Sequence, residues 1–378
     1  MNRLTTHFVV GPLLGRRFWR TFLTPMRSNL RIINLFLMSV LLCAAWLVPQ
    51  SARAGVATTP WQYTKADFAE NGQAIEHVTI RAKTGAGQET FVRFSLANAG
   101  FRKGALEVTF RQESPQGTFF GKESFAKGSY TLGTGKLGLT AGKHSLESTG
   151  SQLVAKFDFG TTTGSVTLTS ALSPFSVVDK NSSGYTWREL MVPMGKLAIT
   201  CANSGGKTFE GTATAYAVHE ASTTTAHQIY DRSVQLFHFG SPHLVVDYIV
   251  LPKERGSRPL GFLVASGKGK TVAGEVQKET RELEKTDPTM DYRIPYSISV
   301  LAKRGTARAA IKLTGEKQVG RDDDLADLAW AARKAVGTLM HPVTYVIKGS
   351  AQAEVQPNPA EPAVVIDASV KYKYAQTR

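Results

Sequence analysis

Half of the histidines in this chain, four of eight, fall in TATAYAVHEASTTTAHQIYDRSVQLFHFGSPH, residues 212–243. They are His219, His227, His238 and His243, and they share the stretch with Glu220, Asp231, Tyr216 and Tyr230; Asp247 follows closely. Imidazoles and carboxylates this close in sequence have three chemical uses: holding a metal, moving protons, or fixing the polar end of a ligand.

Metal chemistry fits the spacing poorly. Zinc ligands come in tight pairs, because neighbouring donors must converge within about 2 Å of the ion. Here His219 and His227 are eight residues apart, and His238 and His243 are separated by Gly240 and Pro242. His219 and His238 could still meet on adjacent strands, but the expectation is no metal and no cofactor. Proton transfer to an apolar chain needs a carboxylic acid kept neutral in an apolar cavity, for which Glu220, Asp231 and Asp247 are the candidates. Asp247 shares its side of HLVVDYIVLP with Val245, Ile249 and Leu251. Either it is such an acid, or the strand is covered on both faces, or Asp247 pairs with a nearby arginine. The third use, ligand binding, draws on amphipathic and charged groups near barrel openings: Trp187, Arg188, Tyr216, His219, His227 and Tyr230. Tyr216 and His219 are an odd number of residues apart, so on a regular strand they face opposite sides. The loop Thr223–Thr225 would lie at a barrel mouth.

The elements that must position these groups are strands. ETFVRFSLAN (89–98), ALEVTFRQ (105–112), QLVAKFDFG (152–160) and GSVTLTSALS (164–173) alternate with period two and are separated by Gly and Ser clusters. The second half repeats the pattern at 208–218, 233–239, 243–252, 259–267, 296–304, 307–319, 343–355 and 363–374. A meander of this kind loses its exposed edges by closing into a barrel. One amphipathic helix is expected over Asp322–His341, with aspartates at its start, Leu325, Leu328, Ala332, Val336 and Leu339 along one face, and Pro342 beyond its end. The fold class is therefore all-β: two lipocalin-like antiparallel barrels, over 56–202 and 203–378, with one C-terminal helix packed outside.

Residues 1–54 carry seven arginines and no acid, then the apolar run Ile32–Val48 and small residues at Ala52-Arg53-Ala54. This is the order of a signal peptide cut after Ala54, which predicts a periplasmic or secreted protein. The alternative is anchoring in the inner membrane through 32–48, and Met26 is an alternative start. Loss of those seven arginines takes the formal charge from +15 to +8. The remainder contains no block of like charge, which points away from nucleic acid and leaves an anionic membrane surface as a partner. Cys201 is then the only cysteine, with nothing to pair with, and is expected to act as a small buried apolar group. There is no nucleotide loop, nucleophile elbow or paired-cysteine site.

Several segments resemble the survival factor 1 family, double lipocalin-like proteins related in fold to carotenoid hydratases. They are GSYTLGTGKLGL (128–139) with GKHSLES (142–148), AKFDFGTTTGSVTLTSALSPF (155–175), GYTWRELMVPMGKLAI (184–199), the histidine-rich segment 211–239, LVVDYIVLPKERGS (244–257) and AVGTLMHPVTYVIKG (335–349). In that family 184–199 corresponds to the run joining the two halves, and 211–239 to the opening of the second half. Export is what the leader pattern predicts; the resemblance implies a carrier for a hydrophobic ligand, a lipid or sphingolipid-like molecule, with a link to stress survival and oxidative stress. It also implies an alternative: a hydratase or cyclase-like enzyme acting on an isoprenoid or lipid chain, with Asp231 or Asp247 as the acid.

Overall fold

Alternating side chains give each strand one face for a barrel interior and one for whatever lies outside it. A computed structural model describes residues 55–62, 74–99, 102–181, 184–223, 229–323 and 341–377. The leader 1–54 falls outside the described residues.

Twelve strands form the first sheet: β1 (Ile75–Thr84), β2 (Glu89–Ala99), β3 (Arg102–Ser114), β4 (Gly117–Phe125), β5 (Tyr130–Leu132), β6 (Gly138–Ala141), β7 (His144–Ser148), β8 (Gln152–Asp158), β9 (Thr162–Ser170), β10 (Phe175–Asn181), β11 (Gly184–Asn203) and β12 (Thr208–Ser222). Their order is β4-β3-β2-β1-β12-β11-β9-β8-β7-β6-β5, with β10 paired to β11. The ends of this path curl toward each other: the Tyr130 hydroxyl on β5 donates to the Gly104 carbonyl on β3 at 2.8 Å. The second sheet is a closed eight-stranded barrel of β13 (Arg232–His238), β14 (His243–Val250), β15 (Pro259–Gly267), β16 (Lys270–Thr286), β17 (Arg293–Arg304), β18 (Ala307–Asp323), β19 (Val343–Gln356) and β20 (Val364–Gln376). The two-barrel, all-β architecture read from period-two patterning is present.

Two sequence expectations change. Strand β12 does not open the second barrel. It pairs with β1, from Ile75↔Ser222 to Thr84↔Ala213, and with β11. The sheets therefore divide between Ser222 and Arg232 rather than at 202/203, because the inward alanines of β12 complete the interior of the first barrel. GYTWRELMVPMGKLAI is likewise not a linker but most of β11, which runs through Pro193 at a bulge with register shifts at Leu190/Val192 and Val192/Gly195. Proline has no N–H to give the ladder, and a bulge is where a sheet tolerates it. The consecutive Met191 and Val192 both reach the core there. The helix expected over 322–341 lies outside the described residues except at its edges: Asp322 and Asp323 end β18 as strand, and His341 bonds Asp323 at 2.9 Å.

Each barrel has its own core. The first is built around Phe94, Phe110, Leu153, Leu168 and Leu197, and includes buried Cys201, whose thiol burial pushes up to about 11. The second is built around Leu263, Ile298, Leu313, Ile347 and Tyr372. A third cluster joins the sheets, with Leu190, Tyr216 and Val218 of the first against Val245, Leu260 and Phe262 of the second. Strands β11, β12 and β14 are thus covered on both faces, and any polar group on their shared side must find its partners there.

Candidate functional site

The polar groups on that shared side form one network. Arg188 leaves β11 toward the second barrel and is 2% exposed. Its Nε donates to Glu220 Oε1 on β12, and its Nη2 lies 3.0 Å from Asp247 Oδ1 on β14. Its Nη1 donates to the carbonyls of Asp247 at 3.2 Å and Leu260 at 3.0 Å. Gly261 makes this reach feasible: a Cβ there would stand 2.6 Å from Nη1 and 2.3 Å from the Asp247 carbonyl oxygen. Asp247 also accepts from the Tyr216 hydroxyl at 2.8 Å and from Gln235 Nε2 at 3.4 Å. Glu220 Oε2 lies 2.7 Å from His77 Nε2 on β1.

The electrostatics follow from burial and charge. Burial alone would raise the Glu220 carboxyl, but the Arg188 charge and the His77 hydrogen bond outweigh it and hold Glu220 well below the usual carboxylate range. Burial works against the charge on Arg188, and Glu220 and Asp247 more than offset it. Burial and the neighbouring Asp247 push the Tyr216 hydroxyl well above its ordinary value. Burial, with Arg93 nearby, holds the His77 imidazole below its ordinary value, so it is neutral at pH 7. Because ionised Glu220 can only accept, the His77 hydrogen sits on Nε2 and Nδ1 carries the lone pair.

A cavity of about 170 Å³ opens on this network. Its apolar wall includes Ile75, Ile229 and Ile249, and its polar floor includes His77, Arg188, Glu220 and Asp247. The arrangement can hold a small apolar body against a charged, fully hydrogen-bonded floor. Its base is His77, backed by a carboxylate. Asp247 receives hydrogen bonds from three side chains, Arg188, Tyr216 and Gln235, so its carboxyl oxygens are engaged within the fold.

Of the residues singled out in the sequence, Arg188, Tyr216, Glu220, Asp247 and Tyr230 come together here. Trp187 and His219 sit on the same two strands but face the interior of the first barrel. There the His219 Nε2 bonds Glu76 at 2.7 Å, and the ring centroids of Trp187 and Trp61 lie 4.9 and 5.3 Å from that of His219 in edge-on contacts. The odd spacing of Tyr216 and His219 does separate them. His219 and His238 do not meet, because β12 and β13 are not paired. Asp231 lies at the rim of the second barrel, near Lys253, with its main chain bonded to Val250 and Thr377. His227 lies outside the described residues, as do Thr224 and Thr225; Thr223 exchanges hydrogen bonds with Tyr185. Among the described residues no three His, Cys, Asp or Glu side chains converge as metal ligands. His77 and Gln235 were not foreseen. The available signal for His77 was the alternation of IEHVTIRAK, which puts His77, Thr79 and Arg81 on one face and Val78, Ile80 and Ala82 on the other.

No family model matches this sequence, and no curated protein does. Similar folds occur among solved structures. CghA with Sch210972 aligns over 87% of this chain and 95% of its own, at 9% identity and a TM-score of 0.51. A candidate AttH from Nitrosomonas europaea aligns over 84% and 97%, at 12% identity and a TM-score of 0.44. Kievitone hydratase from Nectria haematococca aligns over 87% and 97%, at 11% identity and a TM-score of 0.41. This chain therefore shares the double-barrel fold of CghA.

Proposed function

We propose that this protein binds a hydrophobic small molecule between its two sheets, with the apolar part against Ile75, Ile229 and Ile249 and a polar end on the Arg188 floor. The observation that carries this reading is a cavity in which three isoleucines, Ile75, Ile229 and Ile249, meet the charged side chains of Arg188, Glu220 and Asp247, a combination suited to a small molecule with one polar end. The like-folded CghA with Sch210972 supports a small-molecule partner. The resemblance to survival factor 1 proteins supports a lipid or sphingolipid-like ligand and a role in stress survival. The basic and apolar order of residues 1–54 supports export to the periplasm, where the protein would carry its ligand.

Binding is tested by displacement of a fluorescent fatty acid from the purified protein. Ile249→Trp fills the cavity and is expected to weaken probe binding at least tenfold. Unchanged affinity in a folded Ile249→Trp protein would place the ligand elsewhere or remove it.

A second reading rests on the His77–Glu220 pair. A neutral imidazole backed by a carboxylate at the edge of a binding cavity is an acid–base device, of use in a hydration or cyclisation of the bound molecule. In this reading His77, rather than Asp231 or Asp247, moves the proton. With an identified ligand that is turned over, His77→Gln is expected to abolish turnover and keep binding. Turnover that survives His77→Gln and fails in Asp231→Asn would restore the acid at the rim.

A further inference from the structure

A larger cleft of about 660 Å³, lined by residues of both sheets, shares Gln235 with the cavity at Arg188. Among its described lining residues six are Arg or Lys and one, Glu89, is an acid. Lys83 is 3.8 Å from Glu89, and Arg111 is 2.8 Å from Glu113. Arg81, Lys348, Lys371 and Lys373 have no ion pair among the described residues.

Two features mark this cleft as more than a basic surface. First, the Arg81 guanidinium lies between two phenyl rings, 5.0 Å from the centroid of Phe91 and 4.7 Å from that of Phe237. Such cation–π contacts engage the charge of the guanidinium and not its N–H donors, which suit a planar or tetrahedral anion. It is also desolvated enough that its pKa is lowered, so a bound anion would replace lost hydration. Second, Lys348 and Lys371 stand directly opposite each other on β19 and β20. Like charges in register repel, and a bound anion would relieve that repulsion. The phenyl rings beside Arg81 give the cleft an apolar wall next to its charge.

We infer that this cleft is a second binding site, for an anionic amphiphile: a phosphate-type group held by Arg81 with Lys348, Lys371 and Lys373, and an apolar chain laid on Phe91 and Phe237. The inference does not rest on the cavity at Arg188.

The test is isothermal titration of the full chain with decyl phosphate, below its micelle-forming concentration and at low salt. A saturable site that persists in Ile249→Trp is expected, with inorganic phosphate at least tenfold weaker and affinity falling as salt rises. Arg81→Gln is expected to weaken decyl phosphate at least tenfold, and the exposed pair Lys348→Gln with Lys371→Gln several-fold. Lys122→Gln on β4 and Ile249→Trp in the other cavity are expected to leave it unchanged. If Arg81→Gln fails to fold, the exposed lysine pair carries the test. Equal affinity for inorganic and decyl phosphate would overturn the amphiphile. Binding that ignores both cleft variants, or that is lost in Ile249→Trp, would overturn the location. Capture by anionic vesicles with no binding of monomeric decyl phosphate would overturn it in favour of a membrane surface.

Discussion

Arg188 Nη2 on the first sheet and Asp247 Oδ1 on the second stand 3.0 Å apart with both side chains nearly buried, and this pair ties the two barrels together at the floor of the cavity. Because Arg188 also satisfies Glu220 and two main-chain carbonyls, one side chain compensates charge and orphan acceptors from three strands.

Removing that guanidinium takes from both Glu220 and Asp247 the cation that bonds them directly. Breaking a buried pair from one side costs about 3–5 kcal/mol. Arg188→Met is expected to lower the urea midpoint accordingly with little change in slope. Arg188→Lys should fall between the two, since one ammonium cannot match the guanidinium fork. A midpoint for Arg188→Met equal to that of the parent would mean the network does not hold the sheets together.

Gly261 is required by close approach. Gly261→Ala sets a methyl against Arg188 Nη1 and the β14 main chain, and crowding of this kind costs about 1–3 kcal/mol. Thermal unfolding should show the loss. Gly240→Ala, whose new Cβ would meet nothing nearer than 3.8 Å, should stay within about 0.5 kcal/mol of the parent.

His243 gives a pH dependence with a definite sign. It is 2% exposed, and burial, with His238 nearby, holds its imidazole down to about 4. The unfolded chain takes up this proton near pH 6.5 and the folded chain does not until about 4. Stability from this group is therefore full above about 6.5 and falls by about 3 kcal/mol on the way to pH 4. His243→Phe removes the titration, so its urea midpoint should change less between pH 7 and pH 5 than the parent's. Parallel pH profiles for the two proteins would contradict the assignment.

Strand existence was legible because alternation over seven or more residues has no competing explanation, as in ETFVRFSLAN and QLVAKFDFG. Strand β16 was not, because KTVAGEVQKETRELEKT is so charged beyond Val276 that its outer half shows no apolar face. Partner choice was invisible as well. That β12 returns to β1 depends on long-range closure, which no local pattern encodes, and the part of the histidine-rich stretch that lies on β12, with His219, was therefore assigned to the wrong sheet.

The site was legible in part for the same reasons. Asp247 stood out as an acid on an apolar face, and two of its three readings are realised together: a strand covered on both sides and an arginine partner. Parity separated Tyr216 from His219, but which of the two faced the other barrel depended on the fold. His77 lies 143 residues from Glu220, and only the β1–β12 pairing brings them together.

The proposed function requires an apolar ligand in the cavity above Arg188, and native mass spectrometry of the purified protein, followed by solvent extraction, detects one. The expected result is a discrete added mass that extracts as a hydrophobic molecule and is absent from folded Ile249→Trp. A bare protein mass, unchanged after incubation with envelope lipids, or an adduct that Ile249→Trp retains, would contradict it.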